Sequence, residues 1–300
     1  MRMNRALLDI FARDGDTAYQ CIQVAPMRDG RAAILFLVSD PDFENTVSVI
    51  FAVDDFHPAS AKRILLSDAW LMSLSATPSD ELLALEATTR VWRFADASWS
   101  HEKVSDVSLR RIWAKDPNGP IAVGNKGMAL RFQGAAWHPI PPVAPTQYFD
   151  VHGTPRHGLF ACGKQGSLHR LTDAGWQPVE LHRHDQFRGI DVAPDGTIRL
   201  AGDGGACLRV ANEEATELQA PENTFFAVRS FKGRAYWGDE VGVSVEAGDV
   251  LQPFEDTGIG SDLRSDGDYL YVAGIDAAWR FDGKMWKKLT LVYDNGFRLA

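Results

Sequence analysis

Apolar residues fall in short runs separated by turn-forming clusters along nearly the whole chain, and no stretch sustains a helical period. Four such runs lie at 19–25, 32–38, 47–53 and 61–66, with a longer polar interval at 39–46. Later first runs at 108–114, 147–152, 187–193 and 224–230 close on turns such as Asp-Pro-Asn-Gly at 116–119, Pro-Asp-Gly at 194–196 and Lys-Gly at 232–233. These residues supply the fixed or positive φ that tight turns need. The pattern predicts antiparallel strands throughout.

The runs repeat. Segments 121–137, 160–176 and 199–215 read as near copies, with anchoring glycines Gly124, Gly163 and Gly202 spaced 39 residues apart. Gly238 and Gly274 follow at intervals of 36, and Glu86 holds the equivalent place 38 residues before Gly124. An arginine follows seven residues after the anchor (Arg93, Arg131, Arg170, Arg209) or six (Arg280). An apolar residue comes next, and a tryptophan stands five further on at Trp99, Trp137, Trp176 and Trp286. A first strand, a turn, a second strand ending at the anchor, a tight connection, an arginine-bearing third strand and a tryptophan-led fourth strand make one unit of 36–39 residues.

Such a meander cannot bury both faces alone, whereas stacked copies closed into a ring can. The runs predict an all-β fold, a seven-bladed β-propeller of four-stranded antiparallel blades. The blades are expected at 17–66, 69–104, 108–142, 147–181, 186–219, 224–255 and 261–290 of a single domain, 1–300. Six blades is the alternative, because the first unit is irregular. Residues 5–11 are left over and are expected to pair with the last unit as a ring-closing strand.

Composition narrows the partners. The chain has 31 basic and 40 acidic residues, a net charge of −9 and a pI near 5.4. That disfavours nucleic-acid binding, which needs clustered Lys and Arg. No apolar run is long enough for a membrane helix, and the first sixteen residues do not read as a leader. Cys21, Cys162 and Cys207 form no Cys-x-x-Cys pair and are expected to be reduced, buried thiols of a cytoplasmic protein.

The Gly…Arg-Phe-x4-Trp spacing resembles the degenerate repeats of kelch, YVTN-type and Asp-box propellers over nearly the whole chain. The Gly-His…Trp-Asp pair of WD repeats and the kelch double glycine are absent, and Thr172 to Trp176 only echoes an Asp box. The resemblance implies the fold and carries over no catalytic residue.

Candidate chemistry is sparse. The repeated arginines and tryptophans are expected to pack between blades, because equivalent positions lie on a ring too wide for one small ligand. His182, His184 and Asp185 have metal-like spacing, but His152 and His157 belong to the opposite end of the blade, so no metal site is expected. No nucleophile elbow or phosphate loop occurs, and no cofactor is expected. The face that collects links between blades and second-to-third-strand turns carries Asp185, Asp203, Glu222, Asp239, Glu240, Asp256, Asp262 and Asp276 from the fifth unit onward. Lys126, Lys164 and Arg183 stand in its earlier loops. Besides a plain solvated surface, this reads as a docking face for a protein with a basic patch. The expected function is a non-catalytic, monomeric interaction protein, such as an inhibitor or a bacterial immunity protein that neutralises a basic toxin. The alternative is a hydrolase or lyase acting on a glycan or lactone at the central channel.

Overall fold

The computed structural model describes residues 17–300 except 41, 43 and 213. The expected strand at 5–11 lies outside the described residues. Seven sheets follow one another along the chain, each an antiparallel meander. Blades 1 to 6 have four strands and span 18–67, 71–103, 109–139, 148–178, 187–217 and 225–255. Blade 7 runs from 262 to 299 and gains a fifth strand, Phe297–Leu299. The fold is thus the seven-bladed β-propeller. Helical content among the described residues amounts to four three-residue 3-10 turns.

Seven apolar clusters form the core, one between each pair of neighbouring blades. Each fourth-strand tryptophan packs back on the preceding blade. Trp99 joins the cluster between blades 1 and 2 and donates its Nε1–H to the Ile64 carbonyl at 3.0 Å. Trp137, Trp176 and Trp286 hold the equivalent places at three other interfaces. The repeated arginines are settled separately: Arg93 on Glu81, Arg131 on Asp116, Arg209 on Glu246 and Arg280 on Asp55. Arg170 lies over the Phe160 ring.

The anchor glycines mark where the second strand runs hard against the start of the first. A Cβ at Gly163 would lie 2.0 Å from the Gln147 carbonyl oxygen, and one at Gly202 would lie 2.6 Å from that of Gln186. Only a hydrogen fits there. The ring closes between blades 1 and 7. Their facing residues share one core cluster, and the Cys21 amide donates to the Ile275 carbonyl at 2.8 Å. All three cysteines are buried and free.

Candidate functional site

The first strand of each blade lines the central channel: Ala18–Pro26, Leu71–Ala76, Leu109–Trp113, Tyr148–Thr154, Phe187–Val192, Phe225–Phe231 and Asp262–Ser265. We call the face where these strands begin the near face and the other the far face. As the inner edge of its sheet, each strand has amides on its open side that need partners. In blades 2, 3, 5 and 6 side chains of the preceding blade supply them. Gln23 Oε1 accepts from the Leu74 amide at 2.7 Å. Ser73 Oγ accepts from Ile112 and Ser75 Oγ from Ala114. Asp150 Oδ2 accepts from Ile190 at 3.1 Å, His152 Nδ1 from Val192 at 2.9 Å, and Asp191 Oδ2 from Ser230 at 3.0 Å. The clasp therefore joins blade 1 to 2, 2 to 3, 4 to 5 and 5 to 6.

In blades 3 to 7 the clasp is charged. Arg111 Nη1 lies 3.0 Å from Asp262, and its Nε lies 2.9 Å from Asp150. The second contact is Coulombic, since that N–H is not aimed at the carboxylate. Burial opposes charge on Arg111, yet Asp150 and Asp262 hold its pKa above the ordinary value. Arg229 pairs with Asp191 at 3.2 Å, and Arg264 donates to Asp262 at 3.1 Å. Burial lowers the Arg264 pKa to about 10, still charged at neutral pH. His152 accepts an amide proton at Nδ1, which makes Nε2 its protonated nitrogen. Burial, then Arg229, Arg264 and Lys115, hold this imidazole well below its usual range and so neutral.

These side chains fill the channel. A cavity of about 20 Å³ persists at the far end, and a hollow of about 220 Å³ opens at the near mouth. The near mouth owes its lining to a repeated irregularity. In blades 1 to 6 the inner strand carries a β-bulge that leaves one residue out of the ladder. These residues are Ile22, Met72, Arg110, Phe149, Arg188 and Phe226, all half-buried around the opening. Arg110 lies over the Phe149 ring at 5.3 Å, and Arg188 lies 5.9 Å from the rings of Phe149 and Phe226. Arg110 donates to Asn125 at 3.0 Å; burial and the neighbouring Arg188 both lower its pKa.

The acidic residues expected on the near face divide into three groups. Glu222, Glu240 and Asp256 are exposed, and Asp276 is half-buried. Asp185 accepts from Arg183 at 2.7 Å, and Asp203 is paired with Arg188 and Gln186. Asp239 and Asp262 correct the expectation of eight outward carboxylates, because both are buried. Asp239 turns inward to accept the amides of Val241 and Gly242, and Asp262 belongs to the channel network. The five metal-like groups stay apart: His152 is in the channel, while His157 meets the Pro194 carbonyl. Arg111, Asp150, Asp191, Arg229 and Arg264 were not singled out by their sequence context. The available signal was register, since His152, Asp191 and Arg229 lie 39 and 38 residues apart.

No family model matches the chain, and no curated protein matches it in sequence. Solved structures match its fold along nearly its full length. Virginiamycin B lyase from Staphylococcus aureus superposes with a TM-score of 0.67 at 14% identity, covering 93% of this chain and 97% of that one. YCF48 bound to D1 peptide gives 0.68 at 13%, covering 89% and 93%. Sqt1 of Chaetomium thermophilum bound to the N-terminus of the ribosomal protein L10 gives 0.62 at 14%, covering 94% and 93%. At these identities the likeness is one of fold.

Proposed function

We propose that this chain is a non-catalytic interaction propeller that docks a protein partner on its near face. The observation that carries this reading is the bulge ring. Six side chains project at the mouth without belonging to the strand ladder, and Phe, Met and Arg are types favoured at interface centres. The carboxylates of Glu222, Glu240, Asp256 and Asp276 flank this centre and would steer a partner with a basic surface. An inhibitor that masks such a partner is the specific role we favour. Two fold neighbours, YCF48 and Sqt1, are complexed with a peptide and a protein N-terminus, which supports the mode of use. A hydrolase or lyase at the channel has less support, because Asp150, Asp191 and Asp262 are each engaged with arginine.

The test is capture of the partner from the native organism, followed by affinity measurements on Phe149→Ala/Phe226→Ala. At about 2 kcal/mol or more for a pair of central aromatic anchors, the double variant should bind at least about 30-fold more weakly, with its melting temperature nearly unchanged. Undiminished binding by this folded variant would move the interface away from the near mouth.

A further inference from the structure

The far end of the channel has a different character from the near mouth and lies outside the docking surface. Arg264 is 6% exposed, and only its Nε has a partner; Nη1 and Nη2 have none among the described residues. The guanidinium lines the cavity of about 20 Å³, together with Lys115, Arg229, His152, Trp113 and Ser265. That volume admits one body of about the size of a water molecule.

The wall offers donors. Arg264 brings two unpartnered NH2 groups, Lys115 its terminal amine, and neutral His152 an Nε2–H. The carboxylates nearby are already used. Asp191 holds Arg229, the Ser230 amide and the Ser230 hydroxyl, and Asp262 lies between Arg111 and Arg264. Burial lowers the Lys115 pKa; Asp266 opposes this, Arg264 and Arg229 add to it, and Asp80, like Asp266 outside the wall, opposes it. Asp266 accepts from the Asp268 and Tyr269 amides and the Tyr271 hydroxyl, and Asp80 is paired with Arg28 and Arg31. Within the channel, Arg111, Arg229 and Arg264 balance Asp150, Asp191 and Asp262. Lys115 is then the excess positive charge, and it stands at the cavity.

We propose that the far mouth of the channel binds one small monovalent anion of chloride's size and charge, held by Arg264, Lys115, Arg229 and the Nε2–H of His152. The ion supplies the acceptor that Arg264 lacks and offsets the charge of Lys115. It would stabilise blades 3, 4, 6 and 7 at the point where their inner strands meet.

Thermal unfolding is followed in sodium chloride and in sodium gluconate of matched ionic strength, gluconate being too large for the cavity. Chloride should raise the melting temperature by about 3 °C or more over gluconate and saturate, as a ligand of the folded state does. In Lys115→Met, or Lys115→Gln should the apolar variant fold poorly, the difference should vanish. Crystals grown in bromide should carry an anomalous peak in the cavity. Coincident chloride and gluconate curves, persistence of the chloride effect in the Lys115 variant, or no bromide peak would each overturn the proposal. Equal stabilisation by sulfate at matched ionic strength would overturn the assignment to a small monovalent ion.

Discussion

On one side of the channel Gln23, Ser73 and Ser75 accept the amide protons of the next blade with neutral side chains. On the other side Asp150 and Asp191 accept the same kind of proton with carboxylates, and three arginines are buried with them. The geometric task is the same, so an acceptor of the right reach is all that the clasp requires. A carboxylate adds a second oxygen, which lets Asp191 hold both Ser230 and Arg229. It also introduces a buried charge that must be matched, because removing one partner of a buried pair leaves the other uncompensated. The neutral arc is locally self-sufficient, whereas the charged arc is mutually dependent across blades.

The largest effect should come from breaking the charged arc. Asp191→Ala leaves Arg229 buried without its carboxylate and should cost about 3–5 kcal/mol, a fall in melting temperature of roughly 10 °C. Calorimetry or denaturant unfolding reads this, and Asp191→Ala/Arg229→Met should recover much of the loss. If the double variant is no more stable than the single, the arc is not coupled in this way.

In the neutral arc, Gln23→Ala leaves the buried Leu74 amide without its acceptor, and the expected cost is about 1–3 kcal/mol. Because no charge is stranded, this variant should need no compensating substitution. A loss as large as that of Asp191→Ala would erase the contrast between the arcs.

A pH titration sharpens the comparison inside the charged arc, where His152 is the neutral acceptor. In the unfolded chain its imidazole titrates near about pH 6.5; in the fold it titrates well below that. Below about pH 6.5 the unfolded chain therefore binds a proton that the folded chain refuses. Stability should fall there by up to about 1.4 kcal/mol per pH unit until the folded imidazole itself protonates, and should not depend on this group above about pH 7.5. His152→Gln should flatten that part of the curve. The His169 pKa is also lowered by burial, so its contribution remains in both proteins and cancels in the difference.

The smallest effect on folding is expected outside both arcs. Reversing the exposed Glu222, Glu240 and Asp256 to Lys should change stability by less than about 1 kcal/mol per site, as exposed charges do. The same change should slow association with a basic partner at low salt and matter less at high salt. Equal on-rates at low salt would remove these residues from the docking surface.

The ring of blades was legible because its strongest markers answer local constraints. A glycine stands where the second strand touches the first, as at Gly163. A tryptophan opens the fourth strand because it packs against the preceding blade, as Trp176 does. The buried polar rings were harder to read. Asp150 or Arg229 alone is one polar residue in an apolar run, and its partner is decided by a neighbouring blade some 40 residues away. The acidic face was legible only as a set of turns. Which way an aspartate points is set by the turn itself: Asp239 folds back on two amides, while Glu240 beside it faces solvent. The mouth ring was concealed for a related reason, since a bulge breaks the alternation that assigns residues to faces.

Those bulges separate two kinds of sequence freedom. A residue displaced from the ladder leaves the pairing on either side of it intact, so Ile22, Met72, Arg110, Phe149, Arg188 and Phe226 can be exchanged at little risk to strand register. Ile22 and Met72 also pack against the apolar clusters between blades, which leaves Arg110, Phe149, Arg188 and Phe226 as the addressable sites. A combinatorial library over those positions could be selected for new targets while the polar clasp beneath it is left untouched. The mouth ring is the exchangeable part of that layout, and the polar clasp is the part to be kept.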